Sequence, residues 1–509
     1  MTIKKKWLFI LLIGLLYLSI SFYKIDQLPG EWYGDISNVH EYVTQILKGQ
    51  FPFYFFQSPG PVYHYAIVPI VLLFQNRGYE TYKIASLIIS LLGLFTTYLF
   101  VKEISSKKLA YITVLTMSFS FWYLVWSRLG NSQIIIPALA SIMSLFIVRY
   151  VKKRRFFDLL SGAFFTSLGW YTYPQTFIFP LVFFLFVVLF CLFTKRMVSQ
   201  FNTLSLILIA LFIMAIPFVT IIRNDKGNFG PQGYVGSKVW PNLFLSADQL
   251  IGKTLYNYKK LLLMLHVKGD RTFRVNVSES PQIDKLSGLF FLLGFLYFAK
   301  KKRRIWLLYI FWMLFVLPLP SISPSIPDAE IPNSARTIAV IPFVFVLVSA
   351  GFLWVYQSVK KFLTNDKYLL SILLSVMYIY MVFTNLKLYF VDYANGLPDR
   401  NFATGKIIAE FIDSLPKEVN VYFGSCCWGE WGHPEPKAVA YVFRKERNFI
   451  EYNHYLDSCR EVTRLPAVVI FGPDDDKKVN EYKECFPQSD LVDIKGEYNT
   501  IIFRKIYIK

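Results

Sequence analysis

Long apolar runs separated by short basic loops fill the first 390 residues of the 509-residue chain. Each run is about 16–22 residues long, which matches the roughly 30 Å hydrocarbon core of a bilayer at 1.5 Å of helix rise per residue. No run has a charge at its centre. The pattern predicts eleven membrane-spanning helices, at residues 7–22, 81–101, 109–126, 131–150, 157–173, 176–194, 203–222, 286–300, 303–320, 336–356 and 367–387.

A twelfth apolar run, residues 59–76, contains three prolines and has two interpretations. It spans the membrane, or it lies along the membrane surface. In the second case the short basic loops all fall on one side, with 21 Lys and Arg against only three acids. Short basic loops stay cytoplasmic. We therefore expect that 59–76 does not span, that the amino terminus is cytoplasmic, and that the carboxyl-terminal region is extracytoplasmic.

The first run starts at Lys4–Lys6 and could instead be a cleaved signal peptide. No small-x-small cleavage site follows it, because the exit reads Ser-Ile-Ser-Phe-Tyr-Lys at residues 19–24. We expect a retained helix. The resulting topology has a transmembrane domain at 1–390 with outer loops 23–80 and 223–285.

The tail, residues 391–509, has a different pattern. It alternates helical stretches with runs rich in β-forming residues, which is typical of a small α/β domain. The fold class is therefore mainly α, a polytopic membrane helix bundle with a small extracytoplasmic α/β domain. The predicted helices are 402–414 and 475–485, and the predicted strands are 419–424, 467–472 and 498–508.

Composition supports a membrane protein. The chain is 54% hydrophobic and only 17% charged, whereas soluble proteins carry about 25% charged residues. The net charge of +20 could indicate a nucleic-acid partner. However, residues 1–390 hold 38 Lys and Arg against 15 Asp and Glu, and residues 391–509 hold 16 against 19. The basic charge thus belongs to the membrane region, and we expect membrane lipids and no nucleic acid as partners.

Four of the five cysteines lie in the predicted outer tail, where disulfides can persist. They allow three pairings, and the sequence does not choose among them. A metal site at Cys426, Cys427 and His433 matches no common zinc spacing. We expect one or two disulfides or free thiols rather than a metal. The four are Cys426, Cys427, Cys459 and Cys485, whereas Cys191 lies in a membrane run.

Polar residues at predicted outer helix ends are candidates for chemistry. Asp35 follows the first helix, where partial desolvation at the membrane surface would suit a general base or a sugar anchor, although a solvated loop acid looks the same. Arg128 lies just after the end of one predicted helix, and Arg336 lies at the start of another. Arginine binds phosphate oxygens through a planar fork. Tyr171 and Tyr173 offer faces for sugar rings or belong to the interfacial aromatic belt.

These motifs together resemble the GT-C class of membrane glycosyltransferases, in particular protein mannosyltransferase-like proteins of glycosyltransferase family 39. The resemblance covers most of residues 1–356. It rests on short motifs whose order and topology agree: Asp35, Lys48-Gly49-Gln50-Phe51-Pro52, Ser127-Arg128, Gly169…Tyr173-Pro174, Gly269-Asp270-Arg271 and Arg336…Pro342.

The resemblance implies transfer of a sugar, mannose or another hexose or a pentose, from a polyprenyl-phosphate donor. The acceptor, which could be a protein, a lipid or a glycan, would be used at the extracytoplasmic face of the cell membrane. Asp35 matches the catalytic acidic position, and Arg128 and Arg336 match positions near the donor phosphate. Further candidate substrate contacts are Glu41, His64, Tyr171, Tyr173 and Asp270.

One departure from the family bears on cofactors. Many relatives have Asp-Glu at the acidic position, whereas this chain has Asp35-Ile36. Glu41 is a candidate for the second carboxylate, and a role for a divalent metal stays open, with no other cofactor implied. The alternative function is a membrane transporter or lipid flippase. Ion-coupled carriers usually place ionisable groups at membrane mid-depth, which this sequence lacks.

Overall fold

The structure is a computed structural model. It describes residues 3–33, 36–55, 59–74, 78–300, 303–362, 367–397, 400–424, 439, 456–496 and 499–509. Up to residue 193 it contains the helices α1 (Ile3–Phe22), α2 (Ile36–Leu47), α3 (Pro61–Leu73), α4 (Tyr79–Ile104), α5 (Lys107–Ser118), α6 (Phe121–Arg128), α7 (Ile136–Lys153), α8 (Phe156–Ser167) and α9 (Phe179–Phe193).

The remaining helices of the membrane region and the tail are α10 (Met197–Asn224), α11 (Lys226–Phe229), α12 (Ala247–Leu263), α13 (Lys285–Phe298), α14 (Arg304–Val316), α15 (Ser334–Thr337), α16 (Ile341–Phe362), α17 (Lys367–Lys387), α18 (Ala394–Gly396), α19 (Thr404–Ser414) and α20 (Asp476–Cys485). A π-helix, Leu388–Tyr393, extends α17.

Among the described residues, seven helical segments are long and apolar enough to cross a membrane, and an eighth is counted if α5 and α6, bent by 63°, form one span. The chain is therefore an integral multi-pass membrane protein. The predicted count of eleven is not confirmed, because α8 and α13 have only 12 and 14 residues and a span needs about 20. Helix α3, inside the run 59–76, has 13 residues and is also short for a span.

The most buried spans form the centre of the bundle. In the spans Ser334–Lys360 and Ser132–Lys153, 83% and 78% of the positions are buried, against 17% in Met197–Asn224. Glycines let α13 and α16 approach closely. A Cβ added at Gly294 would lie 2.1 Å from the carbonyl oxygen of Leu347, so only glycine fits there. Helix α10, with its low buried share, lies at the periphery of the bundle.

The basic loops share one end of the bundle, which we call the basic end. Arg149 at the end of α7 lies 3.9 Å from the carboxylate of Glu103 in α4. The hydroxyl groups of Ser105 and Tyr297 are 3.1 Å apart, which brings the end of α13 to the same place. Lys108 lies over the ring of Tyr356 in α16 at 4.3 Å. The predicted clustering of these loops on one side is therefore present in the structure.

The opposite end of the bundle, which we call the loop end, gathers residues 20–33, 229–284 and 321–336. Asn242 donates to the hydroxyl of Ser323 at 2.7 Å. The backbone N–H of Gly30 donates to the side chain of Asn401 at 2.7 Å, so the tail also contacts this end. Helical segment Ile372–Gly396 runs through the predicted domain boundary at residue 390.

The tail forms a four-stranded sheet in the order β1-β2-β4-β3. Strands β1 and β2 are parallel, and the other two pairs are antiparallel. Every residue of β2 is buried, because α19 packs on one face of the sheet and α20 packs on the other. The predicted α/β region is thus confirmed. The strands are β1 (Asn420–Phe423), β2 (Ala467–Phe471), β3 (Asp490–Lys495) and β4 (Ile501–Ile508).

The cysteine pairing is partly visible. Cys459, which precedes α20 in the chain, forms a disulfide with Cys485, the last residue of α20. Cys191 is a buried free thiol. Cys426, Cys427 and His433 lie outside the described residues.

Candidate active site at the loop end

Arg128 is fully buried and holds the chain that leads out of α1. Its Nε donates to the hydroxyl of Tyr389 at 2.9 Å, and its two terminal nitrogens donate only to backbone carbonyl groups. All three guanidinium nitrogens therefore have partners inside the protein, which shows Arg128 holding this segment. Its contact with the donor phosphate stays a prediction. The carbonyls belong to Ile20 (3.3 Å), Ser21 (2.6 Å), Tyr23 (2.8 Å), Lys24 (3.1 Å) and Leu28 (3.2 Å).

A second buried cation, Lys83 of α4, holds the same segment. Its ammonium donates to the carbonyl of Ile25 at 2.8 Å and to that of Pro29, and it lies 4.3 Å from the ring centre of Tyr79. Sequence reasoning missed Lys83, because a lysine near the start of an apolar run looks like an interfacial anchor. Together Arg128 and Lys83 fix the segment that precedes Asp35.

The first loop continues into an aromatic cluster. The ring of Trp32 lies 5.2 Å from that of Tyr79, and the ring of Tyr33 lies edge-on to Phe273 at 5.4 Å. Helix α2 then begins at Ile36. Asp35, predicted as the catalytic base, lies outside the described residues, as does Gly34.

Two of the candidate substrate contacts, His64 and Tyr171, belong to the packed interior, and a third is half-buried. Glu41 is half-buried on α2. His64 is buried, its Nδ1 lies 3.0 Å from the carbonyl of Gly60, and its ring packs on Phe55 at 4.7 Å. The hydroxyl of Tyr171 donates to the carbonyl of Met214 in α10. Neither His64 nor Tyr171 lines any of the three cavities described below.

Asp270 connects two loops. One carboxylate oxygen accepts the N–H of Thr272 at 2.8 Å, and the other accepts the N–H of Ser334 at 2.7 Å. Burial raises the pKa of this carboxyl, although both hydrogen bonds oppose the shift. Because both oxygens accept backbone N–H groups, Asp270 fastens the loop to the segment before Arg336. Its contact with substrate stays a prediction.

Arg336 and Tyr173 line one cavity of about 300 Å³, which we call the arginine cavity. Both residues were candidates from the sequence, and the structure brings them together. The other polar residues of its wall come from residues 174–178, from residues 234–238 and from the segment that follows α14. Sequence reasoning missed them because these segments have no periodic pattern. They include Gln175, Tyr234, Lys238 and Ser323.

The charges in the arginine cavity are unevenly paired. Nη2 of Arg336 donates to the carboxylate of Glu330, and the ammonium of Lys238 lies 3.8 Å from the same oxygen. Nη1 of Arg336 is buried and has no hydrogen-bond partner among the described residues. Burial disfavours the charged form of Glu330, but Arg336, Lys238 and Arg271 outweigh it and lower the pKa of Glu330. Two cations thus share one carboxylate, which leaves the cavity positive.

A second cavity, of about 450 Å³, lies on the other side of residues 328–332, and we call it the basic cleft. Lys260 pairs with Asp328 at 2.7 Å, and Lys268 pairs with Glu279 at 2.8 Å. Arg271 is exposed at its wall, two residues before Phe273, which contacts Tyr33. Phe273 thus connects the wall of the basic cleft to Tyr33 of the first loop.

An apolar groove of about 440 Å³ lies between α8 and α10. Its lining is hydrocarbon apart from one serine, and includes Phe157, Phe164, Ile213 and Met214. Such a wall suits an acyl or isoprenoid chain rather than a sugar.

The described residues contain no group of three or more His, Cys, Asp or Glu side chains that could hold a metal ion. The carboxylate of Asp35 is not among them. The charged side chains that line the arginine cavity are the cations Arg336 and Lys238, whose chemistry suits an anion.

Comparisons with known proteins find a related family and structures of similar fold. Residues 57–220 match the family of dolichyl-phosphate-mannose-protein mannosyltransferases. No curated protein matches the chain. The structure is similar to crystal structures of ArnT from Cupriavidus metallidurans bound to undecaprenyl phosphate (TM-score 0.59, 13% identity, 98% of this chain and 97% of that one) and in the apo state (TM-score 0.60, 12% identity, 99% and 98%).

A further similar structure is the Archaeoglobus fulgidus oligosaccharyltransferase in the apo form, with a TM-score of 0.51 and 14% identity over 85% of this chain and 64% of that one. At these identities the likeness concerns the fold. The resemblance to GT-C glycosyltransferases that the sequence motifs indicate is confirmed, and the transporter alternative gains no support. The chain therefore has the fold of the GT-C membrane glycosyltransferases, and its residues 57–220 are similar to the dolichyl-phosphate-mannose-protein mannosyltransferase family.

Proposed function

We propose that this glycosyltransferase takes its sugar from a polyprenyl-phosphate donor whose phosphate binds in the arginine cavity. Arg336 offers a buried N–H edge that has no partner among the residues that the structure describes, and Lys238 adds a second cation. An Arg–phosphate contact is charge-assisted and commonly bidentate. The ArnT structure with undecaprenyl phosphate has the same fold, which favours a donor of the same lipid class.

The depth of the arginine cavity is the observation that carries this proposal. Its wall contains Pro174, at which one candidate span begins, and Arg336, which is two residues into another. It also contains Ser323, the residue after the span Arg304–Ile322. Three spans thus end at the cavity, at the level where the phosphate of a membrane lipid lies. A water-soluble nucleotide sugar would need no site at that level.

A path for the lipid tail leads away from the cavity. Phe177 lines the arginine cavity, and its ring lies 4.7 Å from that of Phe218 in α10. Met214, one turn before Phe218, packs on the same aromatic cluster and lines the apolar groove. An isoprenoid chain that runs from the cavity into this groove would remain in hydrocarbon surroundings throughout.

The transfer step uses Asp35 as the general base. The acceptor hydroxyl oxygen forms a bond with the anomeric carbon while the bond from that carbon to the phosphate oxygen breaks. The hydroxyl proton passes to the Asp35 carboxylate, and the lipid phosphate leaves with an added negative charge. Arg336 and Lys238 would stabilise that charge as it grows in the transition state. A single displacement of this kind inverts the anomeric centre.

The orientation follows from charge. The basic end, with Arg149, Lys152 and Lys108, would face the cytoplasm, because short basic loops stay on that side. The loop end, with the arginine cavity and the carboxyl-terminal sheet, would be extracytoplasmic. We place the protein in the cell membrane, with its donor arriving through the bilayer.

Sugar transfer by the Asp35→Asn variant tests the proposal. The matched control is Asp26→Asn, because Asp26 is an exposed acid of the same loop. With a radiolabelled polyprenyl-phosphate sugar and membranes that hold equal amounts of folded protein, transfer by Asp35→Asn should fall by about 10²–10⁴-fold. Transfer by the control should be unchanged. Near-normal transfer by Asp35→Asn would contradict the role of Asp35.

A further inference from the structure

Helix α12 carries an apolar stripe that the protein does not cover. Ile251, Leu255 and Leu262 are 57%, 65% and 64% exposed. At about 100° per residue these three positions lie within roughly 40° of one another around the helix. Lys253 and Lys260 lie on the opposite side. The helix is therefore amphipathic, with an apolar side that is open to its surroundings.

Side-chain contacts fix the depth of α12 along the bundle. The amide of Asn257 donates to the carbonyl of Ile322 at 3.1 Å, and Ile322 is the last residue of the candidate span that contains α14. The ring of Tyr258 packs on that of Phe315 in α14 at 4.8 Å. Helix α12 thus lies where this span leaves the hydrocarbon core.

The turn that precedes α12 exposes further apolar side chains. Residues Trp240–Phe244 form a 3₁₀ helix in which Leu243 is 70% exposed and Phe244 is 87% exposed. The indole N–H of Trp240 donates to the carbonyl of Phe229 at 2.9 Å, so its polar atom is satisfied while its ring is partly exposed. Soluble surfaces rarely gather so much adjacent apolar area.

We propose that residues 239–263 form a membrane-surface segment that inserts this stripe and this turn between the acyl chains of the leaflet at the loop end. Tyr258 of α12 packs on Phe315, and both Phe315 and Phe311 are exposed on the candidate span that contains α14, so the apolar surface continues onto that span. The lysines of the opposite side face headgroups and water, as in interfacial helices.

This segment touches both cavities of the loop end. Lys238, which directly precedes it, lines the arginine cavity, and Lys260 within it lines the basic cleft. Insertion of the stripe would hold the mouths of both cavities at the level of the lipid headgroups. The membrane contact itself does not depend on the proposed sugar transfer.

Fluorescence quenching by lipids with brominated acyl chains tests the inference in the full-length protein. An environment-sensitive fluorescent amino acid is introduced by stop-codon suppression at position 255, and at position 253 as the matched control on the opposite side of α12. In vesicles of phosphatidylcholine, we expect bromolipids to quench the probe at 255 several-fold more strongly than the probe at 253.

Equal quenching at the two positions, or no quenching at 255, would overturn the inference. A probe at 255 that is shielded from aqueous quenchers but untouched by bromolipids would also overturn it, because a second copy or another protein would then cover the stripe. The readout requires no catalytic turnover, so it is independent of the outcome of the Asp35→Asn assay.

Discussion

The guanidinium of Arg336 is held on one edge by the carboxylate of Glu330, and within the described part of the chain its other edge is unpaired. Nη2 donates to Glu330, whereas Nη1 is buried without a partner among the described residues. A carboxylate in this position fixes the plane of the guanidinium and leaves its second edge for another anion. This geometry supports the proposal that Arg336 binds an anion, as opposed to serving as an interfacial anchor.

Glu330→Gln should increase the affinity for polyprenyl phosphate. The substitution preserves shape but removes the negative charge that Arg336 and Lys238 share. A gain of about 1–2 kcal/mol corresponds to roughly five- to thirtyfold tighter binding, which native mass spectrometry or a thermal shift with the lipid can measure. Asp328→Asn is the control, because Asp328 pairs with Lys260 in the basic cleft. Weaker binding by Glu330→Gln would mean that the carboxylate acts chiefly by holding Arg336.

Arg336→Lys should lose donor affinity or turnover, and Arg336→Ala should lose more. Lysine offers a point charge and cannot use both Glu330 and a phosphate through one planar fork. A charge-assisted contact is worth roughly 1.5–3 kcal/mol, which steady-state transfer kinetics can resolve. The control is Lys285→Ala, an exposed lysine at the start of α13, which should change little. If Arg336→Lys behaves like the wild type, the phosphate role of Arg336 fails.

Substitution of Arg128 should affect folding instead of donor binding. Arg128→Met would leave several buried carbonyl groups without donors, each at a cost of about 1–3 kcal/mol. We expect a large drop in the yield and thermal stability of the protein, with normal lipid affinity per folded molecule. Arg149→Met at the basic end is the control, because Arg149 makes one 3.9 Å ion pair. A stable Arg128→Met variant with weakened lipid binding would support the phosphate role.

The stability of the loop end should depend on pH through Glu31. Burial raises the pKa of Glu31 from 4.5 to about 7, although its hydrogen bonds from the backbone N–H groups of Gly405 and Trp32 oppose the shift. The folded state therefore binds a proton more tightly than the unfolded state does. Stability should fall as the pH rises from about 4.5 to about 7 and then level off, by about 3 kcal/mol in total.

Thermal unfolding in detergent between pH 4.5 and 8 checks this dependence. Glu31→Gln should remove it, because the glutamine does not ionise. Glu410→Gln is the control, since Glu410 is an exposed acid on α19 of the same tail. An unchanged pH slope in Glu31→Gln would show that another group is responsible.

The sequence pattern predicted the tail closely because its elements are short and locally encoded. The predicted strand 467–472 corresponds to β2, and the predicted helix 475–485 corresponds to α20. Strand β3 was missed, since most of its residues are exposed and it lacks an apolar alternation. The predicted number of spans is not confirmed, because hydrophobicity does not reveal where a helix ends early, as in α8, or bends, as between α5 and α6.

The candidate site was predictable only in part. An arginine at a helix end looks the same in sequence whether it meets a ligand or a cage of carbonyl groups. The partners of Arg128 lie about 100 residues earlier, at Ser21, and 261 residues later, at Tyr389. Lys238 and Glu330 come from loops without periodicity, and only the tertiary structure brings them to Arg336.

Photo-crosslinking of a polyprenyl phosphate that carries a photoreactive group next to its phosphate tests the central claim most directly. The lipid is bound in membranes, activated by light, and its attachment sites are mapped by peptide mass spectrometry. If the arginine cavity holds the donor phosphate, the crosslinks should fall on residues 173–178, 234–239, 320–326 and 336, the stretches that line it, and should diminish in Arg336→Ala. Crosslinks confined to residues 260–279 of the basic cleft, unchanged in Arg336→Ala, would contradict the claim.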